Sequence, residues 1–142
     1  MIAIASDHGG FELKNAIVKH LEERGIEHKD FGAYTPETCD YPDCAHLVAS
    51  AVASGEYDMG ILICGTGIGV SITANKTPGI RAALCGDCFS AEATRLHNDA
   101  NVLCLGGRVT GEGLALKIVD TFIDTPFSNE ERHIRRVSKI EG

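Results

Sequence analysis

The chain has 142 residues, of which 44% are hydrophobic and 23% charged, and its formal net charge is −7. This length predicts a single domain over residues 1–142, because a chain of this size buries roughly two thirds of the surface that it exposes when unfolded. The acidic balance argues against a nucleic-acid partner, which requires a basic face. Any anion-binding site must therefore be formed by a small group of neighbouring residues and not by a broad basic face.

Short apolar runs of about strand length alternate with helical patterns along the chain. The runs cover residues 2–5, 26–31, 60–64, 80–85 and 101–105. The segment 61–63 lacks the polar alternation of a half-exposed strand, which is typical of a parallel sheet covered on both faces. The sequence therefore predicts an α/β fold, a three-layer α/β/α sandwich around a five-stranded, parallel, Rossmann-like sheet.

The predicted helices are defined by apolar spacing, caps and glycine stops. Leu13, Ile17 and Leu21 share one helix face, and Gly25 ends that helix. Asp40 is the predicted N-cap of the second helix. The later helices are predicted from the glycine turn to about residue 76, then over residues 88–97, 110–123 and 129–140, the last with Ser128 and Glu131 as a capping box.

Neither the long uncharged stretch nor the N-terminal segment indicates a membrane or secreted protein. The uncharged stretch 59–75 is too short for a membrane span and contains four glycines, which indicates a buried strand and turn. The N-terminal segment lacks the basic start and the apolar length of a signal peptide. We therefore expect a cytoplasmic protein without membrane partners, and expect its six cysteines to be reduced thiols.

A glycine turn, CGTGIG at residues 64–69, follows the third predicted strand, where ligands of open parallel sheets gather. It lacks the spacing of a dinucleotide fingerprint, and no Gly-Lys-Ser/Thr follows as in a P-loop. Two interpretations remain. The bare amides of the turn can stabilise an anion at a helix N-terminus, or the glycines serve a tight connection for steric reasons alone.

Three polar residues are expected at the same sheet edge as this turn. Cys64 ends the third strand, where a thiolate beside amide donors can act as a nucleophile or general base, although buried cysteines are often inert. Asp7 and His8 follow the first strand. Asp7 suits an N-cap, and His8 is well placed to bind a phosphate.

Two further groups are candidate sites. Arg132 and Arg136 share a face of the last helix, which suits either a phosphate clamp or a solvated helix face. CGDC, residues 85–88, is typical of redox dithiols, and Cys39 with Cys44 could complete a metal set. Redox pairs usually follow the first strand of a domain, and a proline separates Cys39 from Cys44. We therefore expect no metal site and no redox function.

Five motifs occur in a specific order: Asp7-His8-Gly9-Gly10, Asp40-Tyr41-Pro42, residues 64–69, His97-Asn98-Asp99 and Arg132-His133. This set, spread over residues 1–137, resembles the ribose-5-phosphate isomerase B family, which also contains galactose-6-phosphate and allose-6-phosphate isomerases. The resemblance implies an aldose–ketose isomerase of the pentose phosphate pathway that interconverts ribose 5-phosphate and ribulose 5-phosphate through a cis-enediolate, with no cofactor and no metal. One family branch uses a glutamate shortly after the glycine turn. This chain has Val70 there, so the resemblance is to the cysteine branch.

The resemblance also assigns roles to residues. Cys64 matches the general base, and His97 matches the acid that opens the sugar ring. The catalytic set is Cys64, His97, Asp7 and Thr66, and the substrate-binding set is Asp7, His8, Tyr41, Gly65, Thr66, Gly67, Ile68, Gly69, Asn98, Arg108, Arg132 and Arg136. The first alternative is an allose-6-phosphate or galactose-6-phosphate isomerase. A thiol-redox protein using Cys85 and Cys88, and a non-catalytic sugar-phosphate sensor, are the further alternatives.

The direction of the chain predicts a shared site. Cys64 ends a strand at the carboxyl edge of the sheet, and the fourth helix starts at that edge and runs back, which leaves His97 and Asn98 at the opposite edge. If both act on one sugar, His97 must come from a second subunit. We therefore expect an obligate homodimer with two shared sites, and a dimer of dimers stays open.

Overall fold

The computed structural model describes the whole chain, Met1–Gly142. Its five strands are β1 (Ile2–Ser6), β2 (His28–Asp30), β3 (Met59–Cys64), β4 (Ala82–Leu84) and β5 (Val102–Gly106). All pairs are parallel, in the order β2-β1-β3-β5-β4. The predicted five-stranded parallel sheet is thus confirmed. Its edge strands β2 and β4 are shorter than the predicted apolar runs, because each pairs with its single neighbour over only three residues.

Six α-helices connect and cover the strands. They are α1 (Phe11–Glu23), α2 (Tyr41–Ala53), α3 (Ile68–Ala74), α4 (Cys88–Asn98), α5 (Glu112–Asp124) and α6 (Glu131–Glu141), with one 3-10 turn at His8–Gly10 before α1. Gly25 and Gly55 follow α1 and α2 with φ of 67° and 86°, a left-handed conformation that stops a helix at little cost in glycine. None of the helices is long and apolar enough to span a bilayer.

The sheet separates two hydrophobic layers, as the absence of polar alternation predicts. Ile4, Ile61 and Ile63 face α1, α4 and α5 on one side. Ala3 and Leu62 belong to the layer formed with α2 and α3 on the other side. Because consecutive strand residues point to opposite faces, both sets of side chains are buried, and the central strands β1 and β5 are buried throughout.

The predicted capping box of the last helix is wrong. α6 begins at Glu131 rather than 129, and its N-cap is Glu130, which makes no side-chain cap bond. Asn129 has φ of 57°, so it cannot belong to a right-handed helix. Ser128 Oγ accepts from Glu130 N at 3.2 Å and lies 2.6 Å from His133 Nδ1. The serine hydroxyl is therefore used in a tertiary contact and not as a cap.

Candidate active site

Three loops meet at the carboxyl end of the sheet, after β1, β3 and β5. Gly107 N donates to Cys64 O at 2.8 Å, and Arg108 N donates to Gly65 O at 2.9 Å. A Cβ placed on Gly9 would lie 3.0 Å from Gly65 N, so the first loop touches the same turn. The three segments indicated by the direction of the strands therefore form one surface.

Cys64 lies at the centre of this surface and is 5% exposed. Gly67 N donates to its Sγ at 3.1 Å, where the amide can stabilise negative charge on sulfur. Gly67 has φ of 81°, and a Cβ there would lie 2.5 Å from Leu84 Cδ1. The steric interpretation of the glycine turn is thus correct for Gly67, and anion stabilisation by the amides of the turn stays a prediction.

The other buried thiols have a different environment. Burial, reinforced by the charge of Asp7, raises the pKa of Cys44 to about 12. Burial and then the charge of Asp87 raise the pKa of Cys85 to about 11. A redox dithiol requires an accessible thiolate, so the raised pKa of Cys85 argues against a redox role for CGDC. No three histidine, cysteine, aspartate or glutamate side chains come together in an arrangement that could hold a metal ion.

Polar side chains of the first loop lie beside Cys64. Asp7 is buried, and its Oδ1 accepts from Gly10 N at 3.1 Å, so it also caps the 3-10 turn as one interpretation expected. His8 Nδ1 accepts from Cys39 N at 3.2 Å, which leaves the ring proton on Nε2. The hydrogen bond from Cys39 could not be predicted from the sequence, because Cys39 contributes only its backbone amide.

The remaining residues predicted near the turn are found there. Thr66 Oγ1 accepts from Ile68 N at 3.2 Å. The Tyr41 ring packs directly against Gly69, where a side chain would collide with it. A Cβ on Gly65 would lie 3.2 Å from Arg108 Nη1, so the Arg108 guanidinium covers the start of the turn. We call these residues, with Cys64, Asp7 and His8, the thiol cluster.

The other predicted site residues form a second group. A cavity of about 350 Å³ is lined by His97, Asn98, Arg132, His133 and Arg136, which we call the imidazole cluster. The His97 and His133 ring centroids are 4.6 Å apart with the planes tilted by 38°. Burial, then the neighbouring charges of His97 and Arg132, lower the pKa of His133. Because four of the five side chains are cationic or become so on protonation, the cluster suits an anion.

The two clusters lie at opposite ends of the sheet. Asn98 O accepts from Arg81 Nε at 2.9 Å, and Arg81 N donates to Asn101 Oδ1 at 2.8 Å. Arg81 and Asn101 immediately precede β4 and β5, so the end of α4 lies at the amino end of these strands. Cys64 pairs with Gly106 at their carboxyl end. The length of β5, about 16 Å, therefore separates the end of α4 from Cys64.

The sequence matches one family over almost its whole length. The family model described as Ribose/Galactose Isomerase matches residues 2–140. The chain belongs to this family. Ribose-5-phosphate isomerase B of Escherichia coli strain K12 is 52% identical over 139 residues, which cover 98% of this chain and 93% of that protein.

Solved structures of the ribose/galactose isomerase family have the same fold as this chain. Ribose-5-phosphate isomerase B of Clostridium thermocellum is 55% identical, with a TM-score of 0.96 and coverage of 99% of this chain and 94% of that one. The enzyme of Mycoplasma genitalium, solved with bound ribulose 5-phosphate, is 44% identical, with a TM-score of 0.95 and coverage of 99% and 93%. The resemblance seen in the ordered motifs is thereby confirmed.

The sequence analysis did not identify two residues that support the imidazole cluster, Arg95 and Ser128. Arg95 is 7% exposed and donates to Thr125 O at 3.0 Å and to Asp99 Oδ1 at 2.9 Å. It holds the end of α4, which carries His97. Ser128 was assigned to a helix cap instead of to His133. The sequence carried no signal for Arg95, because its burial and its partners are visible only in the structure.

Proposed function

We propose that this protein interconverts ribose 5-phosphate and ribulose 5-phosphate. The observation that carries the proposal is the setting of Cys64, a nearly buried thiol that receives the Gly67 amide at 3.1 Å and lies at the carboxyl end of the sheet. Membership of the family and the 52% identity to ribose-5-phosphate isomerase B of E. coli support this substrate pair.

In the proposed reaction Cys64 moves one proton between two carbons. The thiolate removes the proton from C2 of the open-chain aldose, and the electron pair moves to give a cis-enediolate. The thiol then returns the proton to C1 of the ketose, while the hydroxyl proton passes from the oxygen on C2 to the oxygen on C1. The amides of the turn 65–69 that do not donate to Cys64 Sγ or Thr66 Oγ1 stabilise the negative oxygen of the enediolate.

The neighbours of Cys64 fit supporting roles. Thr66 Oγ1 accepts from Ile68 N, which leaves its hydroxyl proton free to interact with the oxygens on C1 and C2. Asp7 offers its remaining carboxylate lone pairs to sugar hydroxyls, since Gly10 N uses only one of them. Val70 occupies the place of the glutamate of the other family branch, so Cys64 is the base in this proposal.

We further propose that the active site is completed by a second copy of the chain. His97, to which the resemblance assigns ring opening, lies about a strand length from the thiol cluster of its own subunit. His8, the imidazole within the thiol cluster, is assigned to the phosphate in this proposal. Ile68, Ile72 and Leu84 are 50%, 57% and 43% exposed and lie beside the thiol cluster, where a partner would bury them. In a two-fold dimer each site would combine one thiol cluster with the partner's imidazole cluster.

This assembly divides the phosphate ligands between the subunits. Arg108 and His8 belong to the thiol cluster, whereas Arg132, Arg136, His97 and Asn98 belong to the imidazole cluster. In each proposed site the phosphate lies between Arg108 of one subunit and Arg132 and Arg136 of its partner. The local concentration of cations in a chain of net charge −7 supports a small anionic ligand. We place the reaction in the cytoplasm, whose reducing conditions suit six free thiols.

A panel of three sugar phosphates tests the function. We expect kcat/KM for ribose 5-phosphate to exceed that for allose 6-phosphate and galactose 6-phosphate by about tenfold or more, because one misplaced carbon costs roughly 1–3 kcal/mol in a fitted site. A coupled assay measures all three. A preference for a six-carbon sugar would assign the protein to another activity of its family, and binding without solvent exchange at C1 of ribulose 5-phosphate would make it a sensor.

The phosphate ligands give a second prediction. Replacing Arg132 by alanine should raise KM for ribose 5-phosphate about tenfold or more with a smaller effect on kcat, because a charge-assisted hydrogen bond contributes about 1.5–3 kcal/mol. Steady-state kinetics measure both constants. Arg135→Ala is the matched control, since Arg135 is an exposed arginine of α6 that does not line the cavity. Equal KM values for the two variants would contradict the phosphate role of Arg132.

A further inference from the structure

Ser128, His133 and His97 form a row that connects the segment before α6 to the end of α4. Ser128 Oγ lies 2.6 Å from His133 Nδ1, and the His133 ring lies 4.6 Å from the His97 ring between centroids. Ser128 N donates to Leu96 O at 3.2 Å, so the serine is also bound to the residue next to His97. His133 is 5% exposed, whereas His97 is exposed to the cavity.

The hydrogen bonds of Ser128 leave its hydroxyl proton available to His133. Ser128 Oγ accepts from Glu130 N at 3.2 Å, which uses one lone pair and leaves the hydroxyl proton free. His133 Nδ1 lies 2.6 Å from Ser128 Oγ, within hydrogen-bond distance. The hydroxyl can therefore donate to His133 Nδ1. An imidazole that accepts at Nδ1 is neutral and carries its proton on Nε2.

The surroundings of His133 also favour its neutral form. Burial lowers its pKa, and so do the charges of His97 on α4 and of Arg132 and Arg136 on its own helix. Glu130 is the one carboxylate that opposes them. The neutral ring is thus the form of His133 that fits its surroundings.

We propose that Ser128 and His133 are positioning residues for His97. The serine hydroxyl holds the His133 ring in one orientation and one neutral tautomer, and that ring supports the His97 imidazole from the side without a competing positive charge. His97 can then present its imidazole to the ring oxygen of the sugar. The inference rests on the proposed function, in which His97 opens the sugar ring.

Measuring the reaction from each of its two substrates distinguishes a positioning role of Ser128 from a general structural role. Ribose 5-phosphate is mostly a closed furanose and must be opened, whereas ribulose 5-phosphate has no ring because its terminal oxygen carries the phosphate. We expect Ser128→Ala to lower kcat/KM for ribose 5-phosphate about three- to tenfold, the effect of one neutral hydrogen bond. Exchange of deuterium from solvent into C1 of ribulose 5-phosphate, which needs Cys64 and no ring opening, should stay at the wild-type rate.

Three further variants sharpen the test. Ser128→Thr keeps a hydroxyl and should restore turnover of ribose 5-phosphate, and His133→Phe keeps a ring without Nδ1 and should behave like Ser128→Ala. Ser138→Ala removes an exposed serine of the same helix and is the matched control. Equal losses of turnover and of C1 exchange in Ser128→Ala, or wild-type turnover in that variant, would overturn the proposal.

Nitrogen-15 spectra of the histidine rings provide a readout that does not depend on activity. We expect His133 of the wild-type protein to be a single neutral tautomer protonated on Nε2, and Ser128→Ala to lose that tautomer preference. An Nδ1-protonated His133 in the wild type would contradict the inference. A wild-type protein that isomerises no sugar phosphate but shows the expected tautomer would overturn the proposed function while leaving the Ser128–His133 hydrogen bond supported.

Discussion

Replacing Cys64 by alanine is expected to lower the isomerisation rate by about a thousandfold while leaving the fold intact, because a positioned general base contributes roughly a hundred- to ten-thousandfold. The other basic groups of the thiol cluster have different roles in the proposed site, because Asp7 holds sugar hydroxyls and His8 binds the phosphate. Val70 replaces the glutamate of the other family branch. The measurements are turnover of ribose 5-phosphate and exchange of solvent deuterium into C1 of ribulose 5-phosphate.

Cys85→Ala is the matched control for this variant. Cys85 is also a buried thiol that follows a strand, but it lies in the opposite hydrophobic layer and its pKa is raised to about 11. We expect near-normal turnover after its removal and at most a modest loss of stability. Loss of activity in Cys85→Ala with retention in Cys64→Ala would reverse the assignment and favour the thiol-redox alternative.

Mixing two inactive variants should restore about a quarter of the wild-type activity. Cys64→Ala damages the thiol cluster and His97→Ala damages the imidazole cluster, so a mixed dimer of shared sites places both lesions in one site and leaves the other intact. Random pairing gives half mixed dimers, each with one of two sites working. The experiment is co-refolding of the two variants, followed by a turnover assay of the whole refolded population after mixed dimers have been verified in it.

The pair Cys64→Ala and Arg108→Ala provides the control. Both changes lie in the thiol cluster, so every mixed dimer carries one lesion in each site. We expect its activity to equal the mean of the two parents, without recovery. If verified dimers of Cys64→Ala and His97→Ala also show no recovery, the shared-site model is wrong and His97 acts in its own subunit or has no role in catalysis.

The layered architecture could be predicted because its signals are local or periodic. The run 61–63 without polar alternation indicated a doubly covered strand, and Gly25 indicated the end of α1. Parallel strands bring their carboxyl ends to one edge, so the meeting of Asp7, His8 and Cys64 followed from chain direction alone. The same argument placed His97 at the opposite edge, where the structure has it.

The parts that could not be predicted depend on which distant partner a polar group selects. Ser128 has the spacing of a capping box, yet its hydroxyl binds His133 because Asn129 turns the backbone away from a helix start. Arg95 is buried by contacts with residues 4 to 30 positions away, which no local pattern encodes. The packing of α6 on α4, which brings Arg132 close to His97, likewise depends on tertiary contacts and not on a local sequence pattern.

In the proposed shared site, the placement of thiol and imidazole about a strand length apart would make catalysis subject to mass action. A site assembled from two chains exists only in proportion to their association, so dilution would lower specific activity before it unfolds any chain. A sugar phosphate held between Arg108 of one subunit and Arg132 of its partner would act as a bridging ligand, and a ligand that binds only the associated state shifts the equilibrium towards it. Substrate supply would thus favour formation of the assembly that consumes it.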